Sequence, residues 1–197
     1  MILTINQLKE KYSSYANPVD KIKRACDSDL LVRLNRGLYE DNFHAEPMFL
    51  AGAILSPSYI SFECALSFYG LIPERVTSIT SASLSLHKSK TFVNKFARYT
   101  YSDIPSRAFA IGTTYIQNGE YIARIATKEK AICDSLCKWP VVHSVKDLKQ
   151  LLFEDKRIDE DAFASVNFKD LKEIAGHYQK TNLNFLIKLI EKEYDHE

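Results

Sequence analysis

The sequence predicts an α+β chain, and three observations predict it. Apolar residues recur at helical spacing between Ile5 and Cys26 and again beyond Thr127, whereas an Asn118-Gly119 pair separates two strand-like segments. The apolar share of 46 % is enough to build a substantial core across 197 residues, the length of one domain or of a small unit joined to a larger one. With only 6 Gly and 6 Pro, low-complexity linkers and fibrous repeats are excluded.

Taken in order, Thr4-Ile5-Asn6-Gln7 is a capping box, and Ile5, Leu8, Tyr12 and Tyr15 then place one apolar stripe on a helix from about Thr4 to Ser14. Asn17-Pro18 is a second start signal, an Asx N-cap with proline at the first helical position. In the helix it opens, Val19, Ile22 and Cys26 share a face, Lys21 and Arg24 lie opposite, and Lys23 flanks the stripe. Leu30 to Leu34, then Asn35-Arg36-Gly37, then Leu38-Tyr39 reads as strand, turn and return strand, with Arg33 on the hairpin and Arg36 at its tip.

Helix, basic helix and basic-tipped hairpin together form the layout of a winged helix-turn-helix. A helix fits the major groove of DNA, and a hairpin beside it reaches phosphates or the minor groove. Arginine suits both tasks because its planar fork bonds phosphate or guanine in pairs.

The remainder reads as one mixed α/β domain. Ala45 to Leu55 is a helix stopped by Ser56-Pro57; Ser61 caps another that ends at Gly70; Val76 to Ala82 is a strand. Ala108 to Ile116 and Tyr121 to Ile125 form a hairpin about Asn118-Gly119, and Thr127 caps a helix that stops by Trp139 before Pro140. Three helices follow, at about Val145 to Phe153, Phe168 to Tyr178 and Leu183 to Tyr194. The domain division is residues 1–44 and 45–197, the first leaning on the second through Tyr12, Tyr15 or Phe43.

Charge is balanced overall but segregated. Twenty-six Lys and Arg face 25 Asp and Glu, a net charge of +1, which excludes a uniformly basic nucleic-acid coat and an acidic disordered tail. Residues 75–107 nevertheless carry six bases (Arg75, Lys88, Lys90, Lys95, Arg98 and Arg107) against Asp103 alone, between acidic stretches on either side. This segment is either an anion-binding patch or a solvated face.

The longest apolar run, Met48 to Leu55, is broken by Gly52, and no signal-peptide core follows the start, so a cytoplasmic chain without a membrane partner is expected. Cys26, Cys64, Cys133 and Cys137 show no C-x-x-C pair, and buried free thiols rather than a metal or disulfide framework are expected. His44, His87, His143, His177 and His196 have no partners at defined spacing. No nucleophile elbow, phosphate-binding loop or H-E-x-x-H occurs, so neither catalytic residues nor a cofactor are assigned. Ser61, Glu63 and Cys64 lie close in sequence without converging on a helix turn. A metal-dependent nuclease and a pure protein-interaction module stay as rival readings.

The segment Pro57-Ser58-Tyr59-Ile60-Ser61-Phe62-Glu63-Cys64-Ala65-Leu66-Ser67-Phe68-Tyr69-Gly70-Leu71-Ile72-Pro73-Glu74, with Val76 to Ser81 after it, resembles the signature block of AbiEi-type antitoxins and transcriptional regulators. Leu31 to Tyr39 is similar to that family's wing. Ile125-Ala126-Thr127-Lys128-Glu129-Lys130-Ala131-Ile132-Cys133-Asp134 is similar to its "IATPEKALLD" helix start, with Lys128 in place of the usual proline. The likeness spans about residues 4–140 in four ordered blocks, and the terminal helices carry no shared motif. It implies a type IV toxin–antitoxin operon in which the winged helix binds inverted repeats in double-stranded DNA of its own promoter and represses it. It further implies an antitoxin domain that counteracts a nucleotidyltransferase toxin without a stable complex. On this reading Asn17, Lys21, Lys23, Arg24, Arg33 and Arg36 meet DNA, whereas Arg75, Lys88, Lys90, Lys95 and Arg98 extend the footprint along the backbone or serve the antitoxin function.

Overall fold

The computed structural model describes residues 1–194; His196 lies outside them. The protein is a mixed α+β structure in which a small N-terminal layer rests on a larger body. The N-terminal unit runs β1 (Ile2–Thr4), α1 (Ile5–Lys11), α2 (Pro18–Asp27), β2 (Val32–Asn35) and β3 (Leu38–Glu40). Its sheet has the order β1-β3-β2, so the opening strand lies antiparallel against the far side of the hairpin.

Local chemistry sets these boundaries. Thr4 caps α1 through the full box: its hydroxyl accepts from the Gln7 N–H while the Gln7 side chain accepts from the Thr4 N–H at 2.8 Å. This helix stops at Lys11, one turn short of the expectation. Asn17 Oδ1 accepts from the N–H groups of Val19 and Asp20 at 3.1 and 3.3 Å and starts α2. Asp29 then takes a left-handed conformation, φ +56°, which ends that helix. Gly37, φ +76°, turns the hairpin, and its carbonyl accepts from the Ile5 N–H at 2.8 Å, fixing the tip to the start of α1.

One face of this sheet closes a small core of Leu8, Ile22, Ala25, Leu31 and Tyr39. The inward face of α2 is therefore Ile22, Ala25 and half-buried Cys26; Val19, expected inside, is 52 % exposed. The other face turns Leu34, with Ile2 and Leu38, into the main core. Of the three residues expected to dock this unit, Tyr12 packs within the small core and Tyr15 is largely exposed, whereas Phe43 does reach the larger unit, its ring 6.4 Å from that of Phe96. Leu34 and several polar contacts add to the joint: Asn35 Nδ2 donates to the Ile54 carbonyl and Asn94 Nδ2 to the Leu34 carbonyl, each at 3.2 Å, and the Tyr121 hydroxyl donates to Glu40 Oε1 at 2.8 Å.

The larger body opens with a 3₁₀ turn, Pro47–Leu50, running into α3 (Ala51–Ile54), then β4 (Ser58–Ile60), α4 (Phe62–Phe68) and β5 (Ser78–Ser83). The hairpin β6 (Lys90–Val93) and β7 (Arg98–Asp103) follows, with α5 (Ser106–Phe109), β8 (Thr113–Asn118), β9 (Tyr121–Ala126) and α6 (Lys128–Lys138) after it. The chain closes with α7 (Val145–Lys149), a π-helical turn at Gln150–Asp155, α8 (Glu160–Ala164), α9 (Phe168–Gly176) and α10 (Thr181–Glu193). Six strands form one mixed sheet in the order β6-β7-β5-β4-β9-β8. Parallel pairs β5–β7 and β4–β9 alternate with antiparallel ones. Helices α4, α6, α9 and α10 pack in succession beside it.

Several details differ from the sequence expectation, among them the helix expected over Ala45 to Leu55, which is a 3₁₀ turn and one short α turn. Strand β8 starts at Thr113, because Ser106–Phe109 is helical. Its turn uses Gly119, φ +59°, and Glu120, so Asn118 is the last strand residue and glycine holds the first turn position. Ser61 does not cap α4: its hydroxyl is bound elsewhere, and Thr80 Oγ1 accepts from the Cys64 N–H at 3.0 Å instead. Strands β1, β4, β6 and β7 and helix α8 were not expected at all. Among the described residues no helix is long and apolar enough to cross a membrane.

Candidate nucleic-acid interface

The exposed side of the N-terminal unit is built from α2 and the β2–β3 hairpin. On α2, Lys23 and Arg24 are exposed, and Lys21 lies half-buried with its ammonium 4.9 Å from the Tyr15 ring centre. Tyr15, Ala16, Asn17, Asp20, Lys21 and Arg24 line a shallow recess of about 280 Å³ at the start of the helix. Asn17 is committed to its cap, and its Nδ2 also donates to Asp20 Oδ2 at 2.9 Å. It fixes where α2 begins rather than offering a free amide.

Arg33 projects from β2 and Arg36 from the hairpin tip; both are exposed. The Arg33 Nε donates weakly to the Asn35 carbonyl at 3.4 Å. Arg33 and Lys95 also stand close enough to Cys26 to oppose, by their charge, the rise that burial imposes on its thiol. The end of α2, strand β2 and the β6–β7 turn therefore meet at one place. Among the described residues, none of Lys23, Arg24, Arg33 and Arg36 belongs to an ion pair.

The basic segment is not one patch. Lys95 is bound to Asp29 at the end of α2, so its charge straps the two units together. Arg98 begins β7 opposite Val93, at the same end of the hairpin. Lys90 begins β6, about 10 Å along the strand, with Lys88 just before it. Arg75 is elsewhere. It lines a recess with Glu63, Asp155 and Lys156 over Leu66 and Trp139, where Glu74 holds Arg157 at 2.6 Å.

A second constellation, invisible in the sequence, lies within the larger body. Lys130 and Asp134 of α6 are both fully buried and 3.3 Å apart. Asp134 Oδ2 accepts from Tyr59 at 3.0 Å and Ser61 at 2.6 Å, and Oδ1 from Tyr178 at 2.5 Å. Lys130 Nζ donates to the Ala108 carbonyl at 2.5 Å and to the Tyr178 hydroxyl. One carboxylate thus ties β4, α6 and the segment after α9. Burial, then the Asp134 charge, hold the Tyr59 and Tyr178 hydroxyls protonated far above the ordinary tyrosine range. Burial lowers the Lys130 pKa, and the nearby carboxylate offsets part of that. The group is closed to solvent and braces the fold.

The thiols follow the same logic. Burial pushes Cys64 up to about 11 and Cys133 well above the usual range, which keeps both protonated and unreactive near neutrality. Glu63 is half-buried beside Cys64, and Ser61 is engaged with Asp134, so the three do not converge. Among the described residues no three His, Cys, Asp or Glu side chains stand together as a metal site.

No protein-family model matches the chain, and no curated protein matches it either.

Proposed function

We propose that this chain is a DNA-binding transcriptional autorepressor and the antitoxin of a type IV toxin–antitoxin system. Residues 1–44 serve as a winged helix and residues 45–197 as the antitoxin domain that counteracts a nucleotidyltransferase toxin. One observation carries the DNA-binding half: Lys23 and Arg24 on α2, and Arg33 and Arg36 on the adjoining hairpin, are exposed cations without an acid partner among the described residues. Surface cations left unpaired on a helix and a neighbouring hairpin suit the two grooves and the phosphates between them.

Two further features support the reading. The strand–helix–helix–strand–strand order, with the first strand beside the third, sets a short helix behind α2 and leaves Arg36 exposed at the hairpin tip. Val19, 52 % exposed near the start of α2, offers an apolar contact of the kind that reads a thymine methyl. The antitoxin half rests on the sequence resemblance of residues 57–81 and 125–134.

The test is a gel-shift comparison of the DNA upstream of the coding region with scrambled DNA of equal length, paired with growth rescue from the toxin encoded beside it. Equal affinity for both DNAs would sink the repressor reading. Failure of the intact chain to rescue growth would remove the antitoxin assignment.

A further inference from the structure

The two edges of the six-stranded sheet are built differently. At one edge, β6 begins with Lys90 and is preceded by Lys88, both exposed. Lysines along an open edge repel a second copy of themselves and are a common protection against strand pairing. At the other edge, β8 reads Thr113-Thr114-Tyr115-Ile116-Gln117-Asn118, with no charge and no proline. Its register with β9 is unbroken over all six residues, so no bulge twists it away. Thr114, Tyr115, Gln117 and Asn118 are exposed; a loop reaches the strand at its turn end, where Asn118 Nδ2 donates to Glu46 Oε2 at 2.9 Å.

The turn fixes which groups are free. Asn118 and Tyr121 flank a two-residue loop and form the hydrogen-bonded pair that closes it. Alternation along an antiparallel strand then directs the N–H and C=O of Asn118, Ile116 and Thr114 to β9, and those of Thr113, Tyr115 and Gln117 outward. These three residues are spaced symmetrically about Tyr115. Tyr115 is 71 % exposed, and Ile122, 61 % exposed, stands on the same face because Gln117 pairs with it.

From this asymmetry we infer that β8 pairs antiparallel with β8 of a second copy, about a two-fold axis at Tyr115. Thr113 then opposes Gln117 of the other chain, each Tyr115 opposes its counterpart, and about six hydrogen bonds bridge the copies. A second copy is the occupant the edge suits. It brings the same outward pattern in the complementary order, and no like charges meet because the strand carries none. The pairing stands independently of the DNA-binding proposal. Six residues bury less than a standard interface, so a weak dimer is expected, one that forms within the micromolar range.

The experiment is sedimentation velocity of the intact chain from about 5 to 500 µM. The weight-average mass should climb from the 22.6 kDa of one chain toward twice that value. Tyr115→Pro removes an outward N–H and leaves the β8–β9 ladder intact, so it should weaken dimerisation at least ten-fold with little change in melting temperature. A charge pair keeps the test valid should that variant not fold. Thr113→Lys with Gln117→Glu should strengthen the dimer, and Thr113→Lys with Gln117→Lys should weaken it, because these positions face one another only in this register. A chain that stays at 22.6 kDa across the whole range overturns the inference, as does charge-insensitive dimerisation.

Discussion

Replacing Asp134 by asparagine should strip the buried cluster of its only negative charge while keeping the side chain's shape. Lys130 is fully buried; apart from Asp134 its Nζ donates to the Ala108 carbonyl and the Tyr178 hydroxyl and lies 4.7 and 5.7 Å from the Tyr178 and Tyr59 ring centres, none of which carries a compensating charge. Removing one member of a buried ion pair typically costs about 3–5 kcal/mol, because the remaining charge stays desolvated. The asparagine oxygen can still accept from one or two of Tyr59, Ser61 and Tyr178, but its amide nitrogen cannot accept from the rest. The upper half of that range is expected. At roughly 2–4 °C per kcal/mol for a chain of this length, the melting temperature should drop by about 8–20 °C. Urea unfolding followed by circular dichroism measures the cost. The Lys130→Met/Asp134→Asn double variant should recover part of the loss, since the methionine fills the lysine stem's space without a charge. The reasoning fails if Asp134→Asn costs less than about 1 kcal/mol, or if the two single losses simply add.

Three other outcomes are expected. Burial holds the Tyr59, Tyr99, Tyr101 and Tyr178 hydroxyls protonated above the ordinary tyrosine range. The unfolded chain releases those protons near pH 10, so the stability tied to them is intact below pH 10 and is lost as pH climbs beyond it. Lys130, shifted downward, acts oppositely and adds stability as pH rises toward 10.5; titration-resolved urea midpoints should therefore hold or rise slightly up to pH 10 and then fall. Changing Lys88, Lys90 and Lys95 to Glu together should lower DNA affinity if the β6–β7 hairpin tracks the backbone. Intact affinity with failed toxin rescue would assign the hairpin to antitoxicity, and no change in either would leave it a solvated face. The 45–197 fragment should melt cooperatively and lose operator binding while keeping some toxin protection; a folded fragment without any rescue would show that both units are needed.

Local signals were read well from the sequence. The Thr4 box, the Asn17-Pro18 start and the Thr127 cap each act through bonds within three residues, and all three form as expected. The hairpin at Gly37 follows from the same short-range chemistry. What escaped depends on distant partners. Strand β1 exists because β3 pairs with it nearly forty residues later, and β4 because it lies between β5 and β9. Strands β6 and β7 are polar and carry Lys90 and Arg98, so their alternation resembles a charged loop. Ser61 sits where a cap belongs, yet Asp134 binds its hydroxyl from 73 positions away. Lys130 and Asp134 have the spacing of an ordinary surface pair on a helix, and nothing nearby in the sequence announces that both are sealed inside.

The same contrast applies to the interface. The cations of α2 and its hairpin were legible because they alternate with apolar residues inside short elements. The segment 75–107 looked like one basic patch because proximity in sequence is not proximity in space. The fold separates Arg75 from the rest and ties Lys95 to Asp29.

The central claim is that α2 and the β2–β3 hairpin form the DNA-contacting surface, and its most direct test is the salt dependence of binding to the upstream DNA. Fluorescence anisotropy from about 50 to 300 mM salt should give a log–log slope of roughly −4 to −6, the range for five to seven neutralised phosphates. On the proposed reading Lys21, Lys23, Arg24, Arg33 and Arg36 would supply five of these, and Lys90 and Arg98 the remainder if the β6–β7 hairpin tracks the backbone. Each of Arg24→Ala and Arg36→Ala should make the slope shallower by about 0.9, and one that touches a base edge should also cost about 1–3 kcal/mol in sequence preference. A slope near zero, or one unchanged by substitution at all five N-terminal positions, would contradict the account.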